Sequence, residues 1–169
     1  MKRREEIFEV IKKKPGITFR EITRELNVGV GTLQYHLRKL EDEGRVFSKR
    51  LGGKRYLFPS EMREVAQRLL MAISTENKRK VILALLDGPL TQTKIIKKTG
   101  MSQPSVSYHL KSLIELGVVK ERRVGRRRIY WVAYDPCVLA RMIKEYRPGL
   151  WEKMAEKLAD LIADMEGAE

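Results

Sequence analysis

The sequence predicts a mainly α-helical protein with small β-hairpins, an α+β arrangement of two similar units in tandem followed by a helical tail. Three observations lead there. The chain repeats itself at an offset of 73 residues: Leu33-Gln34-Tyr35-His36-Leu37-Arg38-Lys39-Leu40 returns as Val106-Ser107-Tyr108-His109-Leu110-Lys111-Ser112-Leu113. Ile17-Thr18, Ile22, Gly44, Val46 and Gly52 return as Leu90-Thr91, Ile95, Gly117, Val119 and Gly125. Two copies are too few for a solenoid and suit two small domains, each with a modest core. Within each copy, apolar stripes at helical spacing precede two β-rich runs parted by glycine. Past residue 135, apolar residues recur at helical spacing without any further hairpin signal.

Each element has a local reason. Residues 6–13 place Ile7, Val10 and Ile11 on one face, and Lys14-Pro15-Gly16 stops that helix. Thr18-Phe19-Arg20-Glu21 reads as a capping box. The short helix that it opens buries Ile22 and Leu26 and ends near Asn27-Val28-Gly29. A third helix over about 30–43 turns Leu33, Leu37 and Leu40 inward, and Gly44 supplies its left-handed terminus. Runs 46–51 and 54–58 around Gly52-Gly53 form a hairpin.

The second copy follows the same steps. A helix over 76–86 is broken by Asp87-Gly88-Pro89. Thr91 caps a helix through Lys98, Gly100 ends it, and Ser102 caps a third over 103–116. Gly117 terminates that helix, and runs 118–123 and 128–133 flank the turn Val124-Gly125-Arg126-Arg127. Three helices and a hairpin, with a tight turn between helices two and three, describe a winged helix-turn-helix. The predicted domains are 1–59 and 76–135. Between them, Met62, Val65, Leu69 and Ile73 predict a helical linker over 60–75 that buries one face.

Gln103-Pro104-Ser105-Val106-Ser107-Tyr108-His109-Leu110-Lys111, followed by Leu113 and Leu116-Gly117-Val118-Val119, resembles the recognition-helix signature of ArsR- and MarR-type winged-helix regulators. Gly31-Thr32-Leu33-Gln34-Tyr35-His36-Leu37 is a looser version in the first copy. The resemblance covers both copies and is specific for the fold rather than for a subfamily. The whole chain looks like the small tandem winged-helix transcription factors common in archaea. It departs from metal-sensing ArsR relatives, because two His and one Cys cannot form a metal cluster.

Charge points the same way. Lys plus Arg total 35 against 22 Asp plus Glu, a net +13. Residues 1–60 hold 15 basic and 8 acidic side chains, residues 61–135 hold 15 and 7, and residues 136–169 hold 5 and 7. The excess therefore follows the repeats and fits a polyanion. No apolar run approaches the length of a spanning helix, and the first residues lack the apolar stretch of a signal peptide. The lone Cys137 excludes an internal disulfide. Two Asn and four Gln beside a 34% charged fraction resemble thermophilic proteins. The expected setting is an archaeal or bacterial cytoplasm, in association with the nucleoid.

A helix fits the major groove of B-DNA, and its N-terminal half meets the base edges. On the recognition helix of the second copy, Gln103, Ser105, Tyr108 and Lys111 project outward, with Ser107 at the margin. Gln can pair bidentately with adenine; Ser and Tyr hydroxyls suit bases or phosphates. The first copy offers Val30, Thr32, Tyr35 and Arg38, with Gln34 at the margin. Arg122, Arg123, Arg126, Arg127 and Arg128 cluster at one hairpin; Lys49, Arg50, Lys54 and Arg55 do so at the other. Such wings suit phosphates or a narrow minor groove. The two half-sites are expected about 34 Å apart if both helices enter one face. His36 and His109 lie beside the apolar stripe and are expected to be structural, for example through a hydrogen bond to neighbouring backbone, with phosphate contact as the alternative.

The tail over 136–169 runs through Val138, Leu139, Met142 and Ile143, pauses at Pro148-Gly149, and resumes with Trp151, Met154, Leu158, Leu161 and Met165. Packing onto the second domain, pairing with a second copy, and docking a partner protein or small effector all fit this pattern. No phosphate loop, nucleophile motif or metal cluster is present, so the chain is expected to be a non-enzyme without a cofactor. The expected partners are double-stranded DNA, a second copy through the C-terminal helices, and the basal transcription machinery. An architectural nucleic-acid-binding protein and an assembly module of a transcription or chromosome complex are the alternatives.

Overall fold

Capping and turn chemistry set the order of elements in a computed structural model that describes residues 2–167. It divides into two units, Met1–Met71 and Ala72–Glu169. The first comprises helix α1 (Lys2–Lys13), strand β1 (Ile17–Thr18), helices α2 (Phe19–Leu26) and α3 (Val30–Asp42), strands β2 (Val46–Leu51) and β3 (Lys54–Pro59), and helix α4 (Glu64–Ala72). Thr18 and Glu21 form the predicted capping box: the Glu21 N–H donates to Thr18 Oγ1 at 3.2 Å, and the Thr18 N–H donates to Glu21 Oε1 at 3.4 Å. Asn27 closes α2 with a left-handed φ of 50°.

The predicted hairpin is larger than the sequence indicated. Strands order as β1-β3-β2, all antiparallel, with Val46 opposite Pro59 and Leu51 opposite Lys54. The extra strand puts Ile17 opposite Leu57 and Thr18 opposite Tyr56. Two residues wedged between a turn and a helix cap carry no period of two, so no pattern announces them. Gly16, at φ +84°, lets the chain turn tightly; a Cβ there would lie 3.3 Å from the Phe58 ring and 3.4 Å from Leu70.

Ile7, Ile11, Ile17, Ile22, Leu33, Leu37, Leu40, Val46 and Leu57 form the core of the unit, with Val10 and Leu26 only partly buried. Each such aliphatic side chain contributes about 1.5–3 kcal/mol on burial. Helix α4 is shorter than the expected 60–75 linker. Its buried positions are Ala66, Gln67, Leu69, Leu70, Met71 and Ala72, whereas Val65 is exposed rather than inward. The buried stripe begins at residue 66, which turns residue 65 away.

The second unit contains α5 (Glu76–Leu85), β4 (Leu90–Thr91), α6 (Gln92–Thr99), α7 (Gln103–Glu115), β5 (Val119–Val124), β6 (Arg127–Val132), α8 (Pro136–Tyr146) and α9 (Pro148–Gly167). Thr75, Thr91, Ser102 and Asp135 cap α5, α6, α7 and α8 through their side chains. Strand order β4-β6-β5 repeats that of the first unit. The 73-residue register starts only after the first helix: buried Ile7 and Ile11 answer to buried Val81 and Leu85, an offset of 74.

The tail packs onto its own unit. Leu139, Ala140 and Ile143 of α8 and Leu150, Met154 and Leu158 of α9 are buried, and α9 packs against both α8 and α5. Lys157 Nζ lies 2.6 Å from Asp87 Oδ2, which fastens α9 to the turn after α5. Lys144 sits 4.3 Å over the half-buried Trp151 ring. The side chains of Leu161 and Met165 lie outside the described residues.

Candidate nucleic-acid interface

Helix α7 is amphipathic in the sense the sequence requires. Val106, Leu110 and Leu113 are buried, so Gln103, Ser107, Tyr108 and Lys111 stand exposed on the opposite side. Ser105 is half-buried and serves the cap: its N–H donates to Ser102 Oγ at 3.3 Å, and the two hydroxyls are 3.0 Å apart. Gln92 Nε2 donates to Ser107 Oγ at 2.5 Å, which links α6 to the outer face of α7. In the first unit, burial of Leu33, Leu37 and Leu40 turns Thr32, Gln34, Tyr35 and Arg38 outward. Gly29, the N-cap of α3, offers no side-chain cap.

The two wings differ. Arg122, Arg123, Arg126, Arg127 and Arg128 are all exposed. Among them, Arg128 Nη1 meets Glu121 Oε1 at 2.9 Å, and Arg123 Nε donates to the Gly125 carbonyl at 3.2 Å. In the first wing only Arg50 and Lys54 are exposed; Lys49 and Arg55 are half-buried. Lys49 Nζ lies 3.7 Å from Glu64 Oε1. Arg55 Nη2 lies 2.8 Å from Glu41 Oε1, and its guanidinium is 5.8 Å from the Phe19 ring. Lys54 stands at the hairpin tip, whereas Arg55 lies next to the buried run Tyr56-Leu57-Phe58 and reaches Glu41 on α3.

A groove of about 570 Å³ runs between the wing and α6 in the second unit, lined by Thr91, Gln92, Thr93, Lys94, Lys97, Arg126, Arg127, Arg128 and Tyr130. Every charged group on that lining is positive. The first unit has a corresponding groove of about 740 Å³, where Arg20, Arg24, Arg50, Lys54 and Arg55 share the lining with Glu21, Val30 and Gln34. Helices α6 and α2 point their N-terminal ends at these grooves, and a helix N-terminus favours anions. Arg20, Arg24, Gln92, Lys94 and Lys97 thus join the candidate residues. The signal was available in the sequence: basic residues at i, i+3 or i, i+4 in a helix that opens on a threonine cap.

Of the two histidines, His36 diverges from expectation. Tyr35 meets His36 edge to face at 5.3 Å, and Tyr108 meets His109 likewise at 5.2 Å. His36 Nδ1 is buried and makes no hydrogen bond among the described residues, so the expected backbone bond is not formed. Burial, aided by the nearby Arg4 charge, holds the His36 imidazole below its ordinary pKa. Among the described residues, no three His, Cys, Asp or Glu side chains gather as a metal cluster. No helix among them is long and apolar enough to cross a membrane.

Comparison with known proteins matches both units. Residues 1–70 match a family described as an N-terminal HTH domain, and residues 75–121 match the bacterial regulatory protein, arsR family. An uncharacterised HTH-type transcriptional regulator from Methanocaldococcus jannaschii is 33% identical over 129 residues, which is 76% of this chain and 33% of that relative. The chain therefore spans a third of the length of that archaeal relative. An HTH-type transcriptional regulator from Mycobacterium tuberculosis is 32% identical over 100 residues, covering 59% of this chain and 90% of the relative. Among solved structures, the transcriptional repressor BigR from Xylella fastidiosa aligns over 50% of this chain and 81% of its own, at 21% identity and a TM-score of 0.41.

Proposed function

Because this chain belongs to the HTH-type transcriptional regulators, we propose that it is a regulator that binds double-stranded DNA sequence-specifically, each unit addressing part of one operator. Helices α3 and α7 enter the major groove, while the wings hold phosphates or a narrow minor groove. The observation that carries this reading is the groove of the second unit. The N-terminus of α6, Lys94, Lys97 and the wing arginines surround it with no acidic group on the lining, beside the exposed polar face of α7.

Apart from the Arg128–Glu121 pair and the Arg123 bond to the Gly125 carbonyl, the charge of that wing works against the unit's own stability, because like charges at one turn repel. An assembly module would favour neutral or acidic wings. An architectural protein would need the charge but not the outward Gln103, Ser107 and Tyr108. No catalytic step is assigned, and the site of action is the nucleoid. Pairing of two copies through the tail would use surface other than Leu150, Met154 and Leu158, which are covered within the unit.

Fluorescence anisotropy with labelled mixed-sequence duplex, titrated at several salt concentrations, tests the electrostatic half of the proposal. Binding should weaken linearly in log–log terms as salt rises, with one slope unit or so per phosphate contact. A chain that ignores duplex DNA even at low salt would contradict it.

A further inference from the structure

Val30 has the most exposed large apolar side chain among the described residues, at 62%. It opens α3 and lines the groove of the first unit beside Gln34, Arg50 and Lys54. An isopropyl group left in water adds nothing to the stability of the free chain. Its neighbours deepen the puzzle. Gly31 sits inside a helix, where glycine is less favourable than alanine. A Cβ at Gly29 or at Gly31 would meet nothing within 4 Å. Neither has a positive φ. Gly29 is the N-cap of α3, where glycine is well tolerated; at Gly31 packing and backbone geometry within the unit give no reason for glycine.

What the glycines do is leave Val30 flanked by bare backbone at 29 and 31, with Thr32 next along the turn, so that this backbone can approach an external surface closely. The equivalent positions in the second unit are Ser102, Gln103 and Pro104, a capped turn that presents an amide. In the major groove, thymine alone displays a methyl group, and an apolar side chain is its natural contact.

We propose that Val30 packs on the C5-methyl group of a thymine, with Gly29 and Gly31 allowing the close approach. The half-site of the first unit then demands a T·A pair, whereas the corresponding position of the second unit asks for hydrogen bonding through Gln103. The operator is asymmetric as a result. This inference rests on the DNA-binding reading above and deepens it.

The test uses the full chain and the best duplex recovered by site selection. Each thymine is replaced in turn by uracil, which removes only the methyl group. At one position affinity should fall about fourfold, the factor for roughly one buried methyl group. Val30→Ala should bind the thymine and uracil duplexes equally at that position. Gly31→Ala should raise the thermal midpoint of the free chain yet weaken the same duplex. Uracil substitution without effect, or a loss that Val30→Ala retains, overturns the inference while leaving DNA binding intact. A Gly31→Ala chain that binds unimpaired overturns the close approach. Failure to bind any duplex overturns the underlying reading at the selection step, before uracil enters.

Discussion

Arg55 Nη2 lies 2.8 Å from Glu41 Oε1, so an ion pair ties the wing of the first unit to the end of helix α3. Arg128 occupies the equivalent place 73 residues on, but Ile114 stands where Glu41 would be. Arg128 turns instead to Glu121 on the neighbouring strand, at 2.9 Å. One wing is thus held to its helix and partly neutralised; the other keeps Arg122, Arg123, Arg126 and Arg127 exposed around its turn. The two units are built alike and charged differently, and the second is expected to supply most of the salt-dependent affinity.

Glu41→Gln releases Arg55. Affinity for all duplex sequences should rise at low salt, and the salt slope should steepen by about one unit. The lost pair should cost at most about 1 kcal/mol of stability, read by chemical denaturation. An unchanged slope would mean that Arg55 faces no phosphate.

Base reading and phosphate binding separate in the second unit. Gln103→Ala should reduce the preference for the selected sequence by roughly 1–3 kcal/mol. Arg126→Ala should weaken all sequences about equally and lower the salt slope by about one unit. Competition binding with matched and mismatched duplexes measures both. If Gln103→Ala leaves relative affinities unchanged, the assignment of α7 to the groove is wrong.

Much of this architecture is legible in the sequence because local chemistry marks it. The Thr18–Glu21 capping box and the Gly52-Gly53 turn each announce a boundary. Burial of Leu33, Leu37 and Leu40 follows from helical spacing and fixes which face of α3 is outward. Strands β1 and β4 were not legible, since two residues hold no alternation. Nor were the partners of Lys49 and Arg55, because a charge run reads as uniform until the fold brings Glu64 of α4 and Glu41 of α3 beside the hairpin. The spacing of Lys94 and Lys97 behind a threonine cap is legible, but their place opposite Arg126 and Arg127 is not, since only the folded hairpin creates it.

His36 gives the first unit a pH dependence. Burial and the Arg4 charge hold its imidazole below the ordinary 6.5. The unfolded chain therefore takes up the proton first as pH falls. The stability from this group is complete above the ordinary value and is lost as pH drops through it toward the folded pKa. Thermal midpoints should fall between about pH 7.5 and about pH 5.5, and His36→Gln should flatten that difference. The carboxylates Glu5 and Asp87 are shifted down as well, so they titrate below this window. An identical pH profile in His36→Gln would remove His36 as the cause.

Helix α9 is integral to the second unit, because Leu158 is fully buried in it. Leu158→Ala should destabilise the chain by about 2–5 kcal/mol through the cavity it leaves. Urea denaturation reads this directly. A change under about 1 kcal/mol would show that α9 contributes little to the fold.

Binding-site selection from random duplex DNA with the full chain, repeated at two salt concentrations, tests the central claim most directly. An enriched bipartite motif with unlike halves, bound more weakly as salt rises, is the predicted result. Tight binding that enriches no motif at either concentration would contradict sequence reading and leave a DNA-coating protein in its place.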